Sequence, residues 1–326
     1  MPSSGVPLRN ALMEREVLLA EVLLHDGSKL PKAKAIFLDY DGTLTPIVND
    51  PERALLSEES RRILRHLSSV FPVGVVSGRS CDKLRAFLQI EEMVLAGSHG
   101  LDIRMPPPNE RALLHPVGEK ARAALQRVQT VLNVELGDIP GYLTEDNLLC
   151  VTAHYRMVAP EARARVHEAV ERVLQTEPSL FRKEGKMVHE LRPAVDWDKG
   201  KAVAWLLSAF IESCNLEVGV LVPLYLGDDV ADEDAFRFAE GAGGVRLSLS
   251  CGTHACLASA LAPLLAPRTH VTTATTQYQA RWQVGIKVSD VPVTADDTSA
   301  SWQLTQAQVA PFLASLLESA GAEAPR

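Results

Sequence analysis

Two aspartates stand two residues apart in Phe37-Leu38-Asp39-Tyr40-Asp41-Gly42-Thr43, directly after an apolar run. Carboxylates at that spacing, at the end of a buried strand, can converge on one metal ion. A second acidic pair, Asp228 and Asp229, follows the apolar run 220–226 and can complete the site. An all-oxygen donor set suits Mg²⁺ rather than zinc. Ser77, in Ser77-Gly78-Arg79-Ser80, offers a hydroxyl, and Lys199, in Trp197-Asp198-Lys199-Gly200-Lys201, offers a compact positive charge. Both suit an anionic group. Carboxylate, Mg²⁺, hydroxyl and lysine together describe phosphoryl transfer. One aspartate attacks phosphorus and a second acid protonates the leaving oxygen. Metal and lysine neutralise charge on the transferring group. Each signal alone is weak, since Asp-Gly after a strand is often only a turn. All four in this order, each at an element boundary, outweigh the turn reading.

These clusters need strands and helices to hold them. Residues 34–39 read as a buried parallel strand. A helix is expected from Ser57, with Glu58, Glu59 and Ser60 in its first turn and Ile63, Leu64 and Leu67 facing inward. Residues 72–77 and 93–97 read as further strands, with a helix over 80–88 between them. The alternation argues for an α/β fold, a parallel sheet covered on both faces. In such sheets ligands bind at the carboxyl ends of the strands, where four of the clusters fall, including Ser98-His99, while the one holding Lys199 stands just before a helix. After Met105-Pro106-Pro107-Pro108 the pattern changes. A helix over 119–132, a strand over 148–155, a helix over 160–175 and a strand over 187–191 form an αβαβ block. That block reads as a small domain inserted into the larger one. The main pattern resumes with a helix over 201–213 and a strand over 220–226, in which Pro223 argues against a fully central place. Residues 246–283 fit neither pattern; 286–288 read as a short strand and 307–318 as a last helix.

Composition excludes several classes. The chain has 326 residues, which suggests about two domains. Hydrophobic residues make up 46% and charged residues 23%, too apolar for a disordered chain. A net charge of −8 argues against a general nucleic-acid binder. Five scattered cysteines without C-x-x-C read as reduced thiols in a cytoplasmic protein. No His/Cys cluster in the sequence supports a transition metal. Residues 17–24 are apolar but broken by Glu21 and flanked by charge, too short for a signal peptide or a membrane span. They read as an amphipathic helix on the main domain.

The chain resembles the haloacid dehalogenase (HAD) superfamily of phosphatases, and within it the trehalose-6-phosphate phosphatases. The resemblance rests on FLDYDGTLTPI at 37–47, VVSGRS at 75–80, LAGSHGLDI at 95–103, AHYR at 153–156, GKMVHELRPAVDWDKGKAV at 185–203 and LGDDVADEDAF at 226–236. It implies a Rossmann-like parallel-sheet core with an inserted α+β cap. The expected divisions are an N-terminal helical extension at 1–32, core at 33–114, cap at 115–192, core again at 193–318 with an atypical insertion at 246–283, and a tail at 319–326. It implies Mg²⁺-dependent hydrolysis of trehalose 6-phosphate through an aspartyl-phosphate, by a monomer acting on a small molecule rather than on nucleic acid or membrane. By position, Asp39 is the nucleophile, Asp41 the general acid and then base, and Ser77 and Lys199 hold the phosphoryl group. Asp39, the Asp41 backbone carbonyl and Asp228 hold the metal, while Asp229 and Asp232 order its water or support the lysine. Arg79, Glu145, Asn147, Arg156 and Glu190 are the expected sugar-binding residues.

The chain departs from the family pattern at three places. Asn147 stands where the family's E-x-K lysine falls, so the position can hydrogen-bond but supplies no charge. That opens an alternative substrate, another disaccharide- or pseudodisaccharide-type phosphate. Ala231 replaces the usual threonine of G-D-D-x-T-D. Residues 246–283 have no counterpart. A domain that senses a sugar phosphate without turnover would ordinarily have lost Asp39 or Asp41, and both are present. His154 reads as a packed strand residue; His99 stands evenly between site and structure.

Overall fold

The computed structural model describes residues 9–10, 33–106, 112–213, 221–239, 284–290, 298, 300 and 302–319. The expected N-terminal helix at 17–24, the insertion at 246–283 and the tail beyond 319 lie outside them. Nine strands form one sheet in the order β1 (Arg9–Asn10), β13 (Trp302–Leu304), β12 (Val284–Val288), β11 (Leu221–Gly227), β2 (Ala33–Leu38), β3 (Val73–Val76), β4 (Val94–Gly97), β5 (Asp102–Arg104) and β6 (Ala112–Leu114). Seven of them run parallel; β5 and β6 close one edge antiparallel. That edge, and the β1 strand where a helical extension was expected, are additions to the sequence reading.

Period-two alternation sends the side chains of each strand to two cores. Ile36, Leu38, Val73, Val75, Leu95, Leu224 and Leu226 face α1 (Glu58–Val70), α2 (Cys81–Leu88) and α7 (Gln306–Ser319). Ala35, Phe37, Val76, Ala96 and Tyr225 face α5 (Lys199–Ser213) and α6 (Glu233–Ala239). The strands are buried on both sides, which is why they read as unbroken apolar runs. Pro223 sits in β11 between two parallel neighbours after all. It pairs with Ala35 on β2, and the pairing with β12 begins one residue later at Leu224. Helix starts follow their caps. The Ser57 hydroxyl accepts from Ser60 N at 3.0 Å, and Asp198 Oδ1 accepts from Lys201 N at 2.8 Å.

Between β6 and α5 lies a second, four-stranded antiparallel sheet. Its order is β7 (Leu143–Asp146), β8 (Val151–His154), β10 (Val188–Pro193), β9 (Leu180–Gly185), backed by α3 (Pro116–Leu136) and α4 (Arg163–Thr176). Leu125, Val128 and Leu132 from α3 pack with Val166, Val170, Val151, Ala153 and Leu191 in a core of their own. Strands β7 and β9 escape a sequence reading because LTED and LFRKEG carry no apolar run. No helix among the described residues is long and apolar enough to cross a membrane.

Phe37 is fully buried and its ring stacks 5.9 Å from that of Phe210 on α5. Phe37→Ala should cost about 3–5 kcal/mol of stability in urea unfolding. A loss below about 1 kcal/mol would contradict this packing.

Candidate active site

The carboxyl end of β2 delivers Asp39, whose backbone N–H bonds Leu226 O at 2.9 Å. Lys199, the first residue of α5, reaches under it. Its Nζ donates to Asp39 Oδ1 at 2.9 Å and to Asp232 Oδ1 at 2.7 Å. Asp232 is fully buried and engaged at both oxygens. Oδ1 also accepts from Tyr225 OH at 2.7 Å, and Oδ2 accepts from the backbone N–H groups of Asp228 and Asp229, each at 2.9 Å. Burial raises the Asp39 carboxyl well above the usual range. Lys199 opposes this, while Asp232 and Asp228 add to it. Burial, with Asp232 close by, lifts Asp228 to about 6 although Lys186 pulls it down. Lys199 overcomes its own burial through Asp232 and Asp39 and stays charged.

Gly42 permits this crowding. Its φ is +82°, and a Cβ there would lie 2.1 Å from Asp228 Oδ2. The same turn places Asp41, both of whose oxygens are held by Arg79, Nε to Oδ2 and NH2 to Oδ1, each at 2.7 Å. Arg79 is buried over the Phe87 and Tyr40 rings, and NH2 also donates to Pro51 O at 3.0 Å. Its NH1 makes no hydrogen bond among the described residues and lies 3.5 Å from Glu145 Oε1. Ser77 and Gly78 complete the floor beside His99. Ser98, His99 and Gly100 form a left-handed turn with φ of 49°, 59° and 88°, conformations that cost energy for the two non-glycines.

The second sheet forms the roof. Its register places Glu145, Thr152, Glu190 and Lys183 in one row across β7, β8, β10 and β9. Glu145 accepts from Lys83 Nζ at 2.7 Å and lies 3.1 Å from His154 Nε2. Against burial, His154, Arg79 and Lys83 hold its carboxyl down at about 2. Glu190 pairs with Arg192, with its Oε1 3.1 Å from His99 Nε2. Against its burial, Arg192 and His99 hold the Glu190 carboxyl well below the usual range. Arg156 donates to Val48 O at 3.0 Å and to Lys186 O at 2.6 Å.

Between floor and roof lies an open cleft. Asp39, Asp41, Ser77, Arg79, Glu145, Asn147, Arg156, Glu190, Lys199, Asp228 and Asp229 all line it, and Asp232 sits behind Lys199. Every residue singled out from the sequence is therefore in or against one cleft. Asn147 is engaged within the protein: Oδ1 accepts from Ser80 N at 3.4 Å and Nδ2 donates to Thr152 Oγ1 at 3.3 Å. The cation beside Glu145 comes instead from Lys83 on α2, which the sequence reading missed. Lys186, from the β9–β10 turn, was also missed; its Nζ bonds Asp228 Oδ2. No local pattern marks either lysine, because each meets its carboxylate only through the tertiary fold.

The floor fits a divalent cation. Asp39, Asp228 and Asp232 each bring a carboxylate oxygen within 4.8 Å of the others, an all-oxygen set that suits a hard ion. Asp232 has both oxygens engaged by four donors, so Asp39 and Asp228, each paired with one lysine, are the better-placed carboxylate donors. Burial, and the neighbouring carboxylates after it, raise Asp39 and Asp228, and a cation bound between them would favour their ionised forms.

A family model described as trehalose-phosphatase matches residues 37–259. The chain belongs to the trehalose-phosphatase family. It is 41% identical over 225 residues to the probable trehalose-phosphate phosphatase 2 of Oryza sativa subsp. japonica, covering 63% of this chain and 58% of that protein. It is 39% identical over 213 residues to trehalose-phosphate phosphatase B of Arabidopsis thaliana, covering 63% and 56%. The match thus spans somewhat over half the length of these relatives. The solved C-terminal domain of C. albicans trehalose-6-phosphate phosphatase shares the fold, with a TM-score of 0.68 at 22% identity over 98% of this chain and 100% of that one.

Glu145 sits at about 2 in the fold against an ordinary 4.5. Its contribution to stability is complete above pH 4.5 and is lost as pH falls from there towards 2. Glu145→Gln should flatten the acid arm of the stability–pH curve in that window. An unchanged arm would contradict the Lys83, Arg79 and His154 contacts.

Proposed function

We propose that this protein is a Mg²⁺-dependent phosphatase that hydrolyses trehalose 6-phosphate to trehalose and phosphate. The observation that carries the reading is Asp39, held by Lys199 at the floor of a cleft whose roof offers Glu145 and Glu190. Membership of the trehalose-phosphatase family supports the substrate.

Asp39 attacks phosphorus through a carboxylate oxygen, and the sugar oxygen leaves. Lys199 and the Ser77 hydroxyl steady the phosphoryl oxygens. Asp41 gives its proton to the leaving oxygen, then takes one from the water that attacks the aspartyl-phosphate. The second attack frees phosphate and restores the Asp39 carboxylate. Both Asp41 oxygens are taken by Arg79, so Arg79 must turn away before Asp41 can carry a proton. The substrate supplies the reason to turn, since its oxygens offer the guanidinium another partner. Asp39, the Asp41 carbonyl and Asp228 would hold the Mg²⁺, which when bound adds positive charge against the transferring group. Asp232 fixes Lys199, and Asp229 belongs to the cation's outer surroundings.

The inserted unit at 115–192 is the cap in this reading. It closes over the sugar and keeps bulk water from the aspartyl-phosphate. Glu145 and Glu190 accept from sugar hydroxyls, a polar readout that an apolar pocket could not match. Arg156 and Asn147 shape the same wall. A cytoplasmic setting suits the buried free thiols of Cys81 and Cys150.

Phosphate release from trehalose 6-phosphate, sucrose 6-phosphate, glucose 6-phosphate and a glycosyl-phosphoglycerate tests the substrate. Trehalose 6-phosphate should lead in kcat/KM by at least about 10²-fold, roughly 2.7 kcal/mol. A different winner would establish the alternative, another disaccharide-type phosphate. Glu190→Ala should lose far more activity on the sugar phosphate than on p-nitrophenyl phosphate; equal losses would refute the sugar-reading role. EDTA should abolish turnover and Mg²⁺ restore it, and indifference to chelation would refute the cation site.

A further inference from the structure

A second group of ligand-type side chains meets where the roof touches the floor. His99 comes from the left-handed turn after β4, Cys150 from the loop entering β8, and Glu190 from β10. One nitrogen, the sulfur and one carboxylate oxygen all lie within 4.8 Å of one another. The three are 40 to 91 positions apart, so no spacing in the sequence reveals the cluster. His99 is 4% exposed, and among the described residues neither ring nitrogen makes a well-aligned hydrogen bond; its close polar neighbour is Glu190 Oε1, 3.1 Å from Nε2. Burying an imidazole with so little compensation is costly, and the turn that aims it here is strained as well. Gly78 makes the room, since a Cβ there would lie 2.8 Å from His99 Nε2 and 3.3 Å from Glu190 Oε1.

We propose that His99, Cys150 and Glu190 form a binding site for Zn²⁺, separate from the carboxylate floor, that clamps the roof to the core. The donor set is one nitrogen, one sulfur and one oxygen, the mixture that selects zinc over Mg²⁺. Donor atoms around one zinc stand roughly 3.3–3.8 Å apart, from bonds of about 2.0–2.3 Å at tetrahedral angles. The His99–Glu190 pair is already about that close, at 3.1 Å, and the sulfur lies within 4.8 Å of both. Burial, with Arg192 beside it, lowers His99 to about 4, so its ring is neutral and carries a lone pair. Glu190 is ionised. Burial lifts the Cys150 thiol to about 12; zinc displaces that proton to solvent as the S–Zn bond forms. Zinc, thiolate and carboxylate then sum to zero charge. Arg192 competes for Glu190, and Lys199 adds positive charge nearby. These set the affinity below that of a four-ligand structural site.

Zinc held here removes Glu190 from the sugar, so it should inhibit turnover. The inhibition rests on the proposed role of Glu190; the binding does not. The test uses the full chain freed of metal, with saturating Mg²⁺, titrated with Co²⁺ as the optical probe and then with Zn²⁺. One equivalent of Co²⁺ should give tetrahedral visible bands and a near-ultraviolet sulfur-to-cobalt band, and Zn²⁺ should bleach both. Cys150→Ala should abolish the sulfur band, and Cys150→Ala and His99→Gln should each weaken Zn²⁺ binding at least about tenfold, with folding checked by circular dichroism. Cys150→Ser provides a second fold-preserving variant with the same expectation. A sulfur band that persists in folded Cys150→Ala would come from another cysteine and overturn the proposal. So would the absence of any band in the wild-type chain. Zn²⁺ binding that passes with normal turnover at full occupancy would keep the site and refute the sugar-reading role of Glu190.

Discussion

Everything at the floor of the cleft depends on one ammonium group among carboxylates in a space closed to water. Lys199 touches Asp39 and Asp232, while Asp228 stands beside them. Burying charge without compensation is costly, so each anion has a fixed set of partners. Asp232 has four: the lysine, a tyrosine hydroxyl and two backbone N–H groups. It is thereby held as an anchor, and through Lys199 it fixes the orientation of Asp39. Burial, with Asp232 close by, still pushes Asp39 and Asp228 towards protonation. A bound cation would oppose that push, which suits the floor to hold a metal and a phosphoryl group together.

The roof answers with a different device. An antiparallel sheet with one face on two helices leaves the other face free to carry polar groups in register. The row of Glu145, Thr152, Glu190 and Lys183 uses that face. Roof and floor meet through ionic and polar contacts: Lys186 on Asp228, Arg156 on Val48 O, Lys83 and Arg79 about Glu145. Such contacts exchange readily with water or substrate. Leu148 and Leu149, from the turn between β7 and β8, also pack with the apolar core on the α5 side of the main sheet, so the two units are joined by an apolar contact as well as by these exchangeable pairs.

What was legible in the sequence follows the same division. Strands β2, β3 and β4 are buried on both faces, and their apolar runs ending in Asp39, Ser77 and Ser98 announced both the sheet and its working edge. Strands β7 and β9 have a polar face and few apolar residues, so the roof read as fewer strands than it has. Pro223 argued against a central strand because the sequence does not show where β12 begins to pair. The sequence placed every proposed site residue in or against one cleft, yet it missed Lys83 and Lys186. It also found no transition-metal cluster, because His99, Cys150 and Glu190 meet only when the roof folds over the core. Motifs record local geometry at a strand end; charge partners across an interface leave no such record.

The central claim is that the Asp39 carboxylate forms the bond to phosphorus. Asp39→Asn keeps the size of the side chain and its contact with Lys199 while removing the nucleophile. The measurement is phosphate release from trehalose 6-phosphate by this variant, alongside its thermal midpoint and its binding of the sugar phosphate. The account predicts a fall in kcat of at least about 10³-fold, with folding and binding retained. Turnover within about tenfold of the wild-type rate in a folded variant would contradict it.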